Sequence, residues 1–176
     1  DRFNVDDKFY LGILNSRVMW FFLKNTGTEL GGGYFRFKTN YLKPFPLPEI
    51  SENPDLMIYN INEILSSNKN LQEISSKFQR ILQRKFEGLD KLPKKLENWY
   101  ELTFTDFVKE LKKKKVKLSL TEEAEWEDYF IKEQQKAIEI KVQITKIDKE
   151  IDTMVYELYD LTDEEIAIIE NDQTDK

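Results

Sequence analysis

Tyr34, Arg36 and Lys38 alternate along a short run that begins after Gly31-Gly32-Gly33 and leads through Lys43 to Pro44, Pro46 and Pro48. Cations, an aromatic face and a freely bending backbone coincide there. Lysine and arginine neutralise phosphates, arginine also pairs with a guanine edge, and a tyrosine ring stacks on a base. Glycines let a duplex approach the backbone closely. Tyr34, Arg36 and Lys38, supported by Lys43, are therefore the candidate nucleic-acid contacts. The same residues also suit a solvated strand edge guarded by cations, which needs no ligand.

Other chemistry finds little support. The chain has no Cys and no His, which excludes thiol nucleophiles, disulfides, zinc sites built on those ligands and the usual general base near neutral pH. Carboxylates, lysines and tyrosines remain. Gly31-Gly32-Gly33 is followed by no helix start and no closing Lys-Ser or Lys-Thr pair, unlike a phosphate-binding loop. Asn53-Pro54-Asp55 resembles the opening of the Asn-Pro-Pro-aromatic motif of adenine methyltransferases, but the second proline and the aromatic are absent and a helix cap accounts for it. Asp55 with Glu139-Ile140-Lys141 matches a nuclease pattern in letters only, because Glu139 falls in mid-helix whereas such carboxylates sit on strands that bring them to one metal. No catalytic, metal or cofactor-binding residue is assigned. Arg80, Arg84 and Lys85, and the lysines from 112 to 117, read as solvated helix faces.

At 176 residues, 34% charged and 40% hydrophobic, the chain can bury one modest core or two small ones. Its net charge of -6 is unevenly spread. Residues 1–50 carry +2, residues 51–118 carry +4 and residues 119–176 carry -12. An acidic total thus says little against nucleic acid, because the attraction is local. No apolar run is long enough to span a membrane and no secretory signal is present, so a cytoplasmic location is expected. The abrupt start at Asp1 reads as a piece of a longer protein.

The elements that must position the candidate run are mostly helical. Phe9, Tyr10, Ile13, Leu14, Val18, Phe21 and Phe22 recur at helical spacing and predict one helix over 6–24. Tyr34 to Lys38 alternates as a half-buried strand, with Phe35 and Phe37 inward, and Tyr41 to Pro48 continues extended because each proline disfavours helix at its predecessor. Asn53 caps a helix carrying apolar residues to about Phe86, with Gly88 as its stop, and Ser66 to Asn70 either interrupts it or weakens it. Residues 89–118 form a compact insertion with a short helix after Thr105. From Thr121, Trp126, Phe130, Glu133, Ala137, Ile140, Ile144, Ile147, Ile151, Met154 and Leu158 hold a heptad register on a helix about 55 to 60 Å long. It is expected to run antiparallel to 54–86 as a coiled-coil-like hairpin. A last helix starts at Thr162, at capping-box spacing from Glu165, and docks through Ile166, Ile168 and Ile169, with Tyr156 and Tyr159 packed against it.

Leu11-Gly12-Ile13-Leu14-Asn15-Ser16, Gly32-Gly33-Tyr34-Phe35-Arg36-Phe37-Lys38, Tyr41-Leu42 and Pro46-Leu47-Pro48 resemble the end of the TaqI-like C-terminal specificity domain of adenine-specific DNA methyltransferases and type IIG restriction-modification enzymes. The segment from Val155 to Ile166 is similar to the tail of the same proteins, which usually has Gly where this chain has Asp160. That departure leaves the helix-ending turn open to question. The resemblance implies that residues 1–50 end a DNA target recognition domain and that 51–176 form a helical spacer. This segment would be non-catalytic, with double-stranded DNA and the methyltransferase domain of the same parent chain as partners. S-adenosylmethionine, and Mg²⁺ where the parent also cleaves, would belong to the parent. The competing expectation is a helical interaction or dimerisation module that touches no DNA.

Overall fold

The computed structural model describes residues 6–30, 34–36, 38–48, 54–87, 89 and 91–172. In chain order the elements are α1 (Asp7–Asn15), α2 (Arg17–Thr26), β1 (Thr28–Glu29), β2 (Phe35–Arg36), α3 (Thr39–Leu42), α4 (Asp55–Lys85), 3₁₀ turns at Lys94–Leu96 and Trp99–Glu101, α5 (Phe104–Lys113), α6 (Leu120–Leu158) and α7 (Asp163–Asn171). The expected mainly helical architecture is observed, with a long helix pair, a small N-terminal helix-strand part and a short helical insertion. The expectations at Gly31 to Gly33, Phe37, Asn53 and Gly88 lie outside the described residues. Two compact units result, residues 1–64 with 146–176 and residues 65–145. Both α4 and α6 lend a segment to each.

In the first unit the single helix expected over 6–24 is two helices, broken at Ser16 by an extended backbone (ψ 164°). The break is stable because its loose polar ends are taken. The Ser16 hydroxyl donates to Ile13 O at 2.7 Å and accepts from the Met19 N–H at 3.3 Å, while the Arg17 N–H donates to Asp152 Oδ1 at 2.9 Å. A serine that serves both helix ends outweighs the continuous apolar pattern. Phe9, Ile13, Met19 and Leu23 then meet Met57 and Ile61 of α4 and Ile147, Ile151 and Val155 of α6 in one core. Gly12 is where α1 meets α4: a Cβ there would lie 2.6 Å from Met57 Sδ.

In the second unit α4 runs through Ser66 to Asn70 without interruption. Phe78 is the hub of the core, stacked on Trp99 (3.7 Å between centroids, 13°) and on Tyr129 (5.6 Å, 4°), with Phe107 and Phe130 edge-on. Gln134 locks the insertion to α6 by donating to Tyr100 O at 2.9 Å and Leu102 O at 2.7 Å. Two helix starts differ from expectation. α5 is capped by Thr103, not Thr105, and α6 by Ser119, whose hydroxyl accepts from the Glu122 N–H at 3.3 Å while Glu122 Oε2 accepts from the Ser119 N–H at 2.9 Å. In both, the cap stands three residues before a carboxylate, the spacing that satisfies free amides. Along α6 the heptad residues turn inward, including Glu133, which is buried and pairs with Lys136 at 2.6 Å.

The last helix keeps its predicted capping box at Thr162 and Glu165. Ile169 docks it, whereas Ile168 faces solvent, because neighbours in a helix point about 100° apart and only one can face the core. Asp160 adopts φ 50°, and the turn survives without glycine: Leu161 N–H donates to Tyr156 O at 3.1 Å and Asp160 N–H to Glu157 O at 3.1 Å, the paired bonds of a Schellman ending. Among the described residues no helix is long and apolar enough to cross a membrane.

Candidate nucleic-acid interface

The candidate run is displayed by a two-residue ladder. β1 and β2 pair antiparallel with Thr28 opposite Arg36 and Glu29 opposite Phe35, and the Leu30 N–H donates to Tyr34 O at 2.7 Å. Phe35 turns inward, its ring edge-on to Trp20 of α2 at 5.7 Å. The alternation of a strand then obliges Tyr34 and Arg36 to point the other way. Tyr34 is 74% exposed, and Arg36, Lys38 and Lys43 are exposed as well. Among the described residues none of these three cations is paired with a carboxylate.

Beyond Arg36 the structure departs from the expected strand and extended exit. Lys38 has left the ladder and precedes α3, its carbonyl accepting from the Tyr41 N–H at 2.8 Å. Thr39–Leu42 forms one helical turn rather than an extended segment. A proline disfavours helix only at its own predecessor, which leaves Thr39–Leu42 free to turn, and here the turn overrides that preference at Lys43 as well. Lys43 itself stays helical (φ -52°, ψ -39°), held by its N–H bond to Thr39 O at 2.9 Å. Anchors flank Lys43 on both sides. Tyr41 Oη and Thr28 Oγ1 lie 2.6 Å apart, and Phe45 is buried against Phe22 and Tyr159. Four exposed groups therefore stand on a backbone fixed by Phe35, Tyr41 and Phe45.

A second set of contacts, which no local pattern predicts, holds α2 and hence Trp20. Arg17 Nε pairs with Asp152 Oδ2 at 3.1 Å and its guanidinium reaches Glu170 at 3.7 Å, while Lys24 Nζ meets Asp172 Oδ2 at 2.9 Å. Burial pushes the Asp152 carboxyl above its ordinary range despite Arg17 beside it, and burial raises Asp148 likewise. Tyr159, expected against α7, also reaches back: its hydroxyl donates to Pro46 O at 2.6 Å. Tyr156 is buried beside Asp152 and Glu170. Polar partners more than a hundred residues apart leave no periodic trace, which is why sequence reasoning missed Arg17, Lys24, Asp152 and Asp172.

Comparison with known families bears on both segments. Residues 51–155, more than half of the chain, match the family described as Domain of unknown function (DUF8810). The chain belongs to this family. Residues 1–47 match the TaqI-like C-terminal specificity domain, as the motifs in this stretch implied. No curated protein and no solved structure matches the chain. The DUF8810 segment thus comprises α4, the insertion and most of α6, the specificity segment comprises α1 to α3 with the ladder, and α7 lies outside both matches.

The other candidate groups of this DUF8810 chain, Asp55, Glu139 and Lys141, are exposed. Among the described residues no three His, Cys, Asp or Glu side chains converge as metal ligands. Asp55 opens α4, and Glu139 accepts from Gln135 at 3.1 Å while Lys141 pairs with Glu101. The apolar hollow of about 340 Å³ bounded by Phe21, Phe22, Phe45, Tyr159 and Ile169 has Glu165 on its wall, and that carboxylate is committed to Thr162. With its one carboxylate committed and the rest of its wall mostly apolar, the hollow does not suit S-adenosylmethionine or a metal ion.

Proposed function

We propose that residues 1–50 close a DNA target recognition domain and that 51–176 serve as a helical spacer, in a type IIG restriction-modification enzyme or an adenine-specific (N6) DNA methyltransferase. The specificity-domain match at residues 1–47 supports a specificity role in restriction-modification, and such domains accompany methyltransferase domains. The observation that carries the finer reading is the outward edge of β2. Tyr34, Arg36, Lys38 and Lys43 stand exposed on an anchored backbone within that match, and among the described residues no carboxylate neutralises the cations.

In this role the segment is non-catalytic. Lys38 and Lys43 neutralise backbone phosphates, Arg36 takes a phosphate or the O6/N7 edge of a guanine, and Tyr34 stacks on a base or packs along a sugar. The ties from Arg17, Lys24 and Tyr159 fix the angle at which this edge is presented. S-adenosylmethionine, and Mg²⁺ where the parent cleaves, belong to an upstream domain of the parent, which works in the cytoplasm.

The test is duplex binding by the protein with its upstream recognition domain present, comparing Arg36→Ala/Lys38→Ala with the unsubstituted protein. Loss of two phosphate contacts lowers the salt slope by about 2, and loss of an arginine–guanine pair removes about 1–3 kcal/mol of base discrimination. Unchanged affinity and unchanged discrimination would overturn the assignment.

A further inference from the structure

The insertion of the second unit ends in a turn whose chemistry the specificity reading leaves unused. Between Lys109 and Lys117 there are six lysines and one carboxylate, Glu110. Glu110 is spent on Lys113, at 2.7 Å, and Lys109 is held by Asp106, at 2.8 Å. Lys112, Lys114, Lys115 and Lys117 remain exposed, and among the described residues no carboxylate pairs with them. Glu122 and Glu123 open α6, but among the described residues neither forms an ion pair with these lysines, and Glu122 accepts from Ser119.

These four cations are not on a loose tail. Leu111 and Val116 are both buried in the core around Phe78, and the turn between them is closed by the Val116 N–H to Leu111 O bond at 3.2 Å and the Lys115 N–H to Lys112 O bond at 2.9 Å. At the crossing point Lys115 takes φ 64°, a left-handed conformation that strains an L-residue and that glycine adopts freely. A lysine thus occupies a position where glycine would fold more easily. Side chains that fan from a turn pinned at both ends keep their spacing when they meet a charged surface.

We infer that this turn is a second DNA-contacting site, which grips the phosphate backbone of a duplex without reading its sequence. All four free side chains are lysines, point charges suited to phosphate and lacking the planar fork that reads a guanine edge. A lipid surface is the competing ligand that the test must separate: Leu111 and Val116 of the turn are buried, but Leu120 at the start of α6 is exposed. The choice of DNA over other polyphosphates rests on the specificity role proposed for residues 1–50.

The experiment measures binding of the same protein to a random-sequence duplex and to a duplex selected from a randomised pool, across a salt titration. The test variant combines Lys112→Gln, Lys114→Gln, Lys115→Gly and Lys117→Gln, and the glycine relieves the backbone rather than straining it. The salt slope on both duplexes is expected to fall by about 2 to 4, with affinity at low salt down at least tenfold and the ratio between the two duplexes unchanged. An unchanged slope overturns the proposal. So does a loss confined to single-stranded RNA or to anionic vesicles carried as parallel probes. If the lysine variant loses slope while Arg36→Ala/Lys38→Ala leaves both affinity and the duplex ratio intact, the specificity assignment falls and the lysine turn stands. The converse result sinks the turn alone.

Discussion

Alkaline pH should unfold the first unit, and Tyr156 and Tyr159 should set where this happens. Tyr156 is 5% exposed, and its hydroxyl has no hydrogen-bond partner among the described residues. Burial pushes its pKa up to about 12, with Asp152 and Glu170 adding to the rise and Arg17 opposing it. Burial alone takes Tyr159 to about 12 as well. The unfolded chain ionises both phenols near their ordinary value of 10.0. Between those pH values the unfolded state releases protons that the folded state retains, so stability falls as pH rises. The stabilisation is complete below about pH 10 and is lost through about pH 12.

Two pH units correspond to about 2.7 kcal/mol for the buried Tyr156; Tyr159 is only half-buried and solvent screening reduces its share, so the pair contributes roughly 3–5 kcal/mol. That equals a large part of the total stability of an ordinary domain, about 5–15 kcal/mol. Circular dichroism and phenolate absorbance followed together should therefore show helix loss and ionisation of these two tyrosines in one transition. Tyr156→Phe removes more than half of the alkaline penalty and shifts the transition upward. At neutral pH the same change is expected to stabilise by up to about 1 kcal/mol, because it deletes a buried hydroxyl without breaking a bond. Ionisation of Tyr156 near pH 10 with the helices intact, or an alkaline midpoint indifferent to Tyr156→Phe, would refute the reasoning.

Two further substitutions probe local geometry. Asp160→Gly should raise stability by about 0.5–1 kcal/mol in a urea titration, since glycine relieves the left-handed backbone at φ 50° while giving back part of the gain as chain entropy. Asp160→Ala keeps the strain and should fall at least about 1 kcal/mol below the glycine variant, so equal stabilities would contradict the assigned turn. Gly12→Ala should destabilise by about 1–2 kcal/mol, although alanine ordinarily favours a helix interior by about 1 kcal/mol. The new methyl would lie 2.6 Å from the fully buried Met57 Sδ, and a more stable alanine variant in the same titration would show that α1 and α4 pack less closely.

What could be read from the sequence was what repeats or caps locally. The heptad from Trp126 to Leu158, with the start read at Thr121, predicts the extent of α6 to within a residue at each end although its cap is Ser119, and Thr162 with Glu165 predicts the start of α7. Ser119 and Thr103 carried the same capping signal at the same spacing, but Thr121 and Thr105 competed for it a residue or two away. The break at Ser16 was hidden because apolar residues continue on both sides and the deciding partner, Asp152, lies far along the chain. Within the candidate interface, the alternation over Tyr34, Phe35 and Arg36 was legible. The departure of Lys38 and the helical turn at Thr39–Leu42 were not, because the prolines suggested a wider extended segment than one residue each.

The ties in the first unit separate two kinds of boundary. The two family matches meet close to residue 50, where the proposed functional division also falls. Folding divides the chain elsewhere: Phe9, Ile13, Met19 and Leu23 complete their core with Met57, Ile61, Ile147, Ile151 and Val155. Arg17 and Lys24 find their carboxylates at Asp152, Glu170 and Asp172. A presenting edge two residues wide has almost no core of its own, since an isolated short ladder is marginal in water. Its orientation must be set by whatever holds α2, and α2 is held by the last turns of α6 and by α7. The direction of Arg36 therefore depends on Asp152 in the last turns of α6, inside one family match, together with Glu170 and Asp172 in the tail that lies outside both.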